Sequence, residues 1–142
     1  MDTRQYLGQV SRLDRMIKNK ISEITELQVL FYGLSAVKLE ERVQTTPNHD
    51  KMGTAYAKIA DRQAELNSLI EEFVDKKAHI VSQIDGLENE TNYAILFARY
   101  IERKKFEEIA TDIGYSERQV LRLHVDALGE FKRKYGEEYD KI

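Results

Sequence analysis

The sequence predicts an all-α protein: a long antiparallel, coiled-coil-like helical hairpin followed by a three-helix unit that contains a helix-turn-helix. Three observations carry this. Apolar residues recur at alternating four- and three-residue spacing along two long stretches. The 142 residues include one proline, seven glycines and no tryptophan, and 33% are charged, a composition suited to extended helices with much solvated surface. Near the end, two short amphipathic stretches flank a glycine and a helix-start signal.

The first stretch runs from Tyr6 through Val10, Leu13, Ile17, Lys20, Ile24, Leu27 and Phe31 to Leu34, with Lys20 as the polar interruption and Ile21 beside it. A helix over about 3–34 is roughly 45 Å long and needs a partner to be stable. The second stretch, with a helix over about 51–85, supplies one through Met52, Tyr56, Ile59, Gln63, Leu66, Ile70, Phe73, Lys77, Ile80, Ile84 and Leu87, with Gln63 and Lys77 as the polar exceptions. Leu69, Val74 and Val81 widen its stripe beyond what one seam uses, which points to self-association through the hairpin. Between the two, Thr45-Thr46-Pro47-Asn48-His49-Asp50 predicts a break, so residues 35–50 are expected to form a linker. The hairpin and linker make an assembly or partner module over 1–87, and 88–142 a second domain with a charged tail.

After Gly86, acids at Glu88 and Glu90 suit the positive end of a helix dipole, and Ile95, Leu96, Tyr100 and Ile101 form its apolar face. The next helix shows Phe106, Ile109, Ala110 and Ile113 on one face and ends at Gly114. Ser116 and Gln119 then form a capping box, with Tyr115 and Val120 at the positions of a hydrophobic staple. Val120, Leu123, Ala127, Leu128 and Phe131 are the expected buried face of the last helix, 116–134, with His124 a packing residue.

Charge is unevenly spread. Residues 1–98 carry twelve basic and fifteen acidic side chains, whereas 99–135 carry nine and seven, a local excess of +2 within a chain of net charge −3. In a helix-turn-helix the start of the second helix meets base edges in the major groove. The candidate base contacts are therefore Ser116, Glu117, Arg118, Leu121, Arg122 and Val125. Arg118 and Arg122 suit guanine, and Leu121 or Val125 a thymine methyl. Candidate phosphate contacts are Lys104, Lys105, Lys132, Arg133 and Lys134.

With no cysteine the chain has neither disulfides nor thiolate metal sites, and His49 and His79 lack neighbours at metal-ligand spacing. No phosphate loop or nucleophile elbow occurs, so neither an enzyme nor a cofactor is expected. No apolar run is long enough to span a bilayer and no secretory signal opens the chain, which suits a cytoplasmic location.

The order Leu87, Ile95-Leu96-Phe97-Ala98-Arg99-Tyr100, Phe106-Glu107-Glu108-Ile109-Ala110, Gly114-Tyr115-Ser116-Glu117-Arg118-Gln119-Val120, Ala127-Leu128 resembles region 4 of bacterial sigma factors. Lys105 stands where those factors usually place a capping Thr or Ser. The whole chain, including Val43-Gln44-Thr45, Lys51-Met52 and Arg99-Tyr100-Ile101, resembles small proteins of phages and prophages of Gram-positive bacteria, similar to the ArpU and RinA transcriptional regulators. The resemblance implies a sequence-specific regulator of phage late genes that binds double-stranded DNA. Two alternatives stay open: a small-terminase-like recognition subunit for DNA packaging, and an adaptor that binds RNA polymerase.

Overall fold

The computed structural model describes residues 1–40 and 46–140, and its regular structure is helical throughout. In chain order the elements are α1 (Thr3–Leu7), α2 (Gln9–Glu40), α3 (Thr46–Asp85), α4 (Glu90–Leu96), a π-helical turn (Phe97–Ile101), α5 (Phe106–Ile113) and α6 (Glu117–Tyr139). The expected all-α class is what the chain adopts, with no strand among the described residues.

The long helices reach further than their sequence limits. α2 continues to Glu40 and α3 begins at Thr46, so helical backbone occupies much of the expected 35–50 linker. Pro47 falls in the first turn of α3, where its missing N–H is no loss. Residues 41–45, which hold part of that linker, lie outside the described residues.

Packing divides the chain into two compact units, 1–13 with 73–142 and 14–72. The start of the chain and the end of α3 are built into the core of the C-terminal helices. That core contains Tyr6, Leu7 and Val10 from the N-terminal end, Ile80, Ile84 and Leu87 from the end of α3 and beyond, and Leu96, Ala127, Phe131 and Tyr139. Tyr6 and Tyr139 stack with ring centroids 4.2 Å apart and planes within 10°, and Phe131 packs against both. The buried hydroxyls are satisfied: Tyr6 donates to Gln83 Oε1 at 2.6 Å, and Tyr139 lies 2.7 Å from Thr3 Oγ1. Gln83 in turn donates to Glu138 at 2.7 Å.

A smaller cluster, Ile95, Ile109, Ala110 and Val120, joins α4, α5 and α6. Asn89 caps α4 by accepting from the amide of Asn92, and Asn92 donates its own side chain to Glu130 on α6 at 2.7 Å. Gly86 has a packing reason: a Cβ there would collide with the hydroxyl of Tyr135.

In unit 14–72, α2 and α3 pair antiparallel, since Lys20 meets Glu65, Glu23 meets Arg62 and Phe31 meets Tyr56. Lys20, the interruption in the apolar seam, is held at 2.8 Å from both Glu23 and Glu65. Those partners raise the Lys20 pKa, and Lys20 lowers that of Glu65.

Leu7 has no exposed surface although it sits in a five-residue helix at the chain's start. Leu7→Ala is expected to cost about 2–5 kcal/mol, read as a lower urea midpoint of the tyrosine signal. An unchanged midpoint would show that α1 contributes nothing to the core around α6.

Candidate nucleic-acid interface

The start of α6 is fixed by local chemistry. α5 ends at Gly114, whose φ of 77° lies in the left-handed region that glycine adopts without steric cost. Ser116 follows in extended conformation; its Oγ accepts from the Gln119 amide at 3.2 Å, and Gln119 Oε1 accepts from the Ser116 amide at 3.0 Å. This is the capping box that the sequence predicts. Val120 is fully buried behind it, while Tyr115 on the other side of the cap stays 45% exposed. Lys105, at the N-cap of α5, makes no side-chain capping bond.

From this fixed start, Arg118, Arg122, Lys132 and Arg133 fall on one side of α6 at helical spacing, and all four are exposed. None has a carboxylate within salt-bridge distance among the described residues. Leu121 and Val125 lie on the same side and are 44% and 57% exposed. Glu117 is exposed in the first turn. Ser116 is also exposed, but its hydroxyl is engaged in the cap.

Two expected phosphate contacts are already committed. Lys104 Nζ lies 2.9 Å from Asp112 and 3.6 Å from Glu102, and the bond to Asp112 raises its pKa. Lys134 points away from the Arg118–Arg122 side and donates to the carbonyl of Gly86. Lys105 remains exposed.

Beside the α6 face lies a pocket of about 450 Å³ lined by Arg4, Arg99, Tyr100, Phe106, Leu121, His124 and Val125. The π-helical turn shapes it. Glu102 N–H reaches back to Phe97 at 3.0 Å in the five-residue ring of a π-helix, and Arg103 then takes a left-handed φ of 58°. This places Arg99 over the Phe106 ring at 4.1 Å, with Nη1 donating to the Lys104 carbonyl at 3.1 Å. The Tyr100 hydroxyl meets His124 Nε2 at 2.8 Å, and Phe106 packs T-shaped on the same imidazole with ring centroids 4.9 Å apart.

His124 is buried, and burial first, then the charges of Arg4 and Arg99, depress its pKa from 6.5 to about 4. Burial also raises the Tyr100 pKa. The expectation of a packing histidine fits this neutral, hydrogen-bonded ring. Arg4 and Arg99, which place two further guanidinium groups next to the α6 face, were not among the expected contacts. Arg4 is more than one hundred residues away in sequence, and only the tertiary packing of α1 on α6 brings it there.

Among the described residues, no group of three or more His, Asp or Glu side chains is arranged to hold a metal ion, and no helix is long and apolar enough to cross a membrane.

Fold and site together define an all-α protein that presents a capped helix with an exposed basic face beside an arginine-flanked pocket. Residues 34–132, 99 of the 142, match the model of a family described as a protein of unknown function, DUF1492, and the chain belongs to that family. No curated protein and no solved structure matches the chain.

The pocket makes a pH prediction. The unfolded chain protonates His124 below about pH 6.5, whereas the native chain resists until about pH 4, so stability is lost as pH falls through that window. Between about pH 7 and pH 5 the loss from this group is on the order of 1–2 kcal/mol. Urea titrations should show His124→Asn to have a flatter stability profile over that interval than the unsubstituted chain; equal slopes would show that His124 is not the group responsible.

Proposed function

We propose that the chain is a sequence-specific DNA-binding regulator in which α5 and α6 act as a helix-turn-helix and α6 enters the major groove. The observation that carries this reading is the line of exposed cations Arg118, Arg122, Lys132 and Arg133 on the side of α6 that opens at the capped N-terminus. Arg118 and Arg122 stand one turn apart where base edges are read, with Leu121 and Val125 exposed between and beyond them for thymine methyls. Lys132 and Arg133, further along, suit phosphates. Arg4 and Arg99 add positive charge at the flank of the same face. Glu117 and the cap residue Ser116 border the entry of the helix. The likeness to sigma region 4 and to the ArpU and RinA regulators supports assigning the role to phage or prophage late transcription.

Few cations on this face are free, so one copy is expected to bind duplex DNA weakly and to need a second copy or RNA polymerase for useful affinity. A second reading, an adaptor that docks on RNA polymerase, is favoured by the exposed Leu121 and Val125, which give the face apolar as well as basic character.

Selection of binding sites from a random duplex library, with and without polymerase, tests both. Enrichment of a defined motif is expected, with Arg118→Ala weakening binding by about 1–3 kcal/mol and relaxing one position of that motif. Lys132→Ala should weaken all duplexes alike and reduce the salt slope by about 1. Retention of polymerase without any enriched duplex would select the adaptor; enrichment of packaging-site sequences alone would select a packaging role.

A further inference from the structure

The unit 14–72 is a hairpin with two unlike faces. On one, Lys20, Glu23, Arg62 and Glu65 form a connected ion network across the helices. These contacts fix the geometry: the side of α2 that carries Lys20 and Glu23 shares a face with the side of α3 that carries Arg62 and Glu65. The opposite sides of the two helices must then share the other face.

That other face holds no charged residue between Ile21 and Tyr32 on α2 or between Met52 and Ile70 on α3, in a chain of which 33% is charged. It presents Ile21 at 48% exposure, Val29 at 67%, Tyr32 at 69%, Tyr56 at 67% and Ile70 at 40%. Phe31 joins the two tyrosines, with ring centroids 6.0 Å from Tyr32 and 6.4 Å from Tyr56. Meanwhile the seam inside the hairpin is thin. Of the described apolar side chains in this unit only Ile24 and Ala55 are buried, and the rest of the seam, such as Ile17, Leu27, Ile59 and Leu66, is half-buried, little for two long helices to be stable on their own packing.

We infer that this uncharged face is covered by the same face of a second copy, so that two hairpins complete a four-helix bundle. Three features select a second copy as the occupant. An uncharged face offers a charged partner no complementary group and would desolvate that partner's charges without compensation. Its polar members are Gln63 and Asn67 on α3 with Thr25 and Gln28 on α2; the Thr25 hydroxyl is taken up by the Ile21 carbonyl, and carboxamides both donate and accept, so each carboxamide can pair with its own counterpart across a two-fold axis. The face is roughly 20 Å long and about 20 Å wide across two helices, so apposing two copies removes on the order of 1,000 Å² from water, enough for a specific interface. This dimer rests on the assembly role within the proposed function and not on DNA reading.

Sedimentation of the full chain without DNA tests it, and its failure would leave the assignment of α6 standing. The chain is expected to sediment as a dimer at micromolar concentration. Ile70→Lys and Tyr56→Lys should each yield helical monomers, while Leu30→Lys, on the face that carries Glu23, should remain dimeric. The chain has no cysteine, so a single Gln63→Cys provides a probe that does not depend on a destabilising charge. A short bismaleimide should link two Gln63→Cys chains efficiently and two Leu30→Cys chains poorly. A monomeric parent chain, dimers that survive both lysine substitutions, or equal linking at residues 63 and 30 would each overturn the inference.

Discussion

The stack of Tyr6 on Tyr139 is the contact on which the C-terminal helices depend. It ties the first turn of the chain to the last turn of α6, 133 residues later, and Phe131 fills the space beside it. A 23-residue helix held only at its start would pivot about its cap, whereas α6 is anchored at both ends. The surrounding polar groups follow from the same packing. Tyr6, Gln83 and Glu138 form one chain of hydrogen bonds, and Tyr139 pairs with Thr3. Each phenol could be buried only because a partner of matching chemistry lies within reach, since an unpaired buried hydroxyl costs about 1–3 kcal/mol.

Anchoring at the far end leaves the near end of α6 free to be an exposed face. Ser116, Gln119 and Gly114 define where the helix starts, and Val120 locks its rotation by complete burial. Once rotation is set, helical periodicity alone places Arg118, Arg122, Lys132 and Arg133 on the solvent side. The π-helical turn has a comparable effect on the neighbouring element. Its wider turn and the left-handed Arg103 bring Arg99 onto Phe106 and Tyr100 onto His124. Aromatic stacking and a hydrogen bond thus hold two functional-group-bearing side chains at the border of the α6 face.

Much of this was legible from residues. The capping box, the glycine at the end of α5 and the buried face of α6 are local features with specific chemistry, and they are present as expected. The limits of the long helices were harder to place, because Pro47 is as compatible with a first helical turn as with a loop. The left-handed residue at 103 carried no glycine or asparagine to mark it, and a π-helical turn differs from an α-helix by a single residue in its hydrogen-bond ring. Sequence also counts cations without showing their partners. In sequence Lys104 and Lys134 are equivalent to Lys105 and Lys132, yet Asp112 and the Gly86 carbonyl occupy the first two. Arg4 was invisible for the opposite reason, since nothing local connects α1 to α6.

The hairpin follows a different logic from the C-terminal core. There, burial is nearly complete; between residues 14 and 72 charged pairs secure one side and bare apolar groups remain on the other. Exposed ion pairs contribute little to stability, typically below about 1 kcal/mol each. They do resist a shift in pairing, because sliding α2 against α3 by one turn would set Lys20 and Glu23 away from Glu65 and Arg62. The network is better understood as fixing register than as holding the helices together. Cohesion must then come from apolar surface, and among the described residues Ile21, Val29, Tyr32, Tyr56 and Ile70 expose theirs outside the two-helix seam. In the proposed dimer, self-association supplies what the isolated hairpin lacks, and it also suits the proposed DNA-reading face, whose free cations are too few for strong binding by one copy. Joining two such faces raises affinity by effective concentration, without requiring any new contact to DNA.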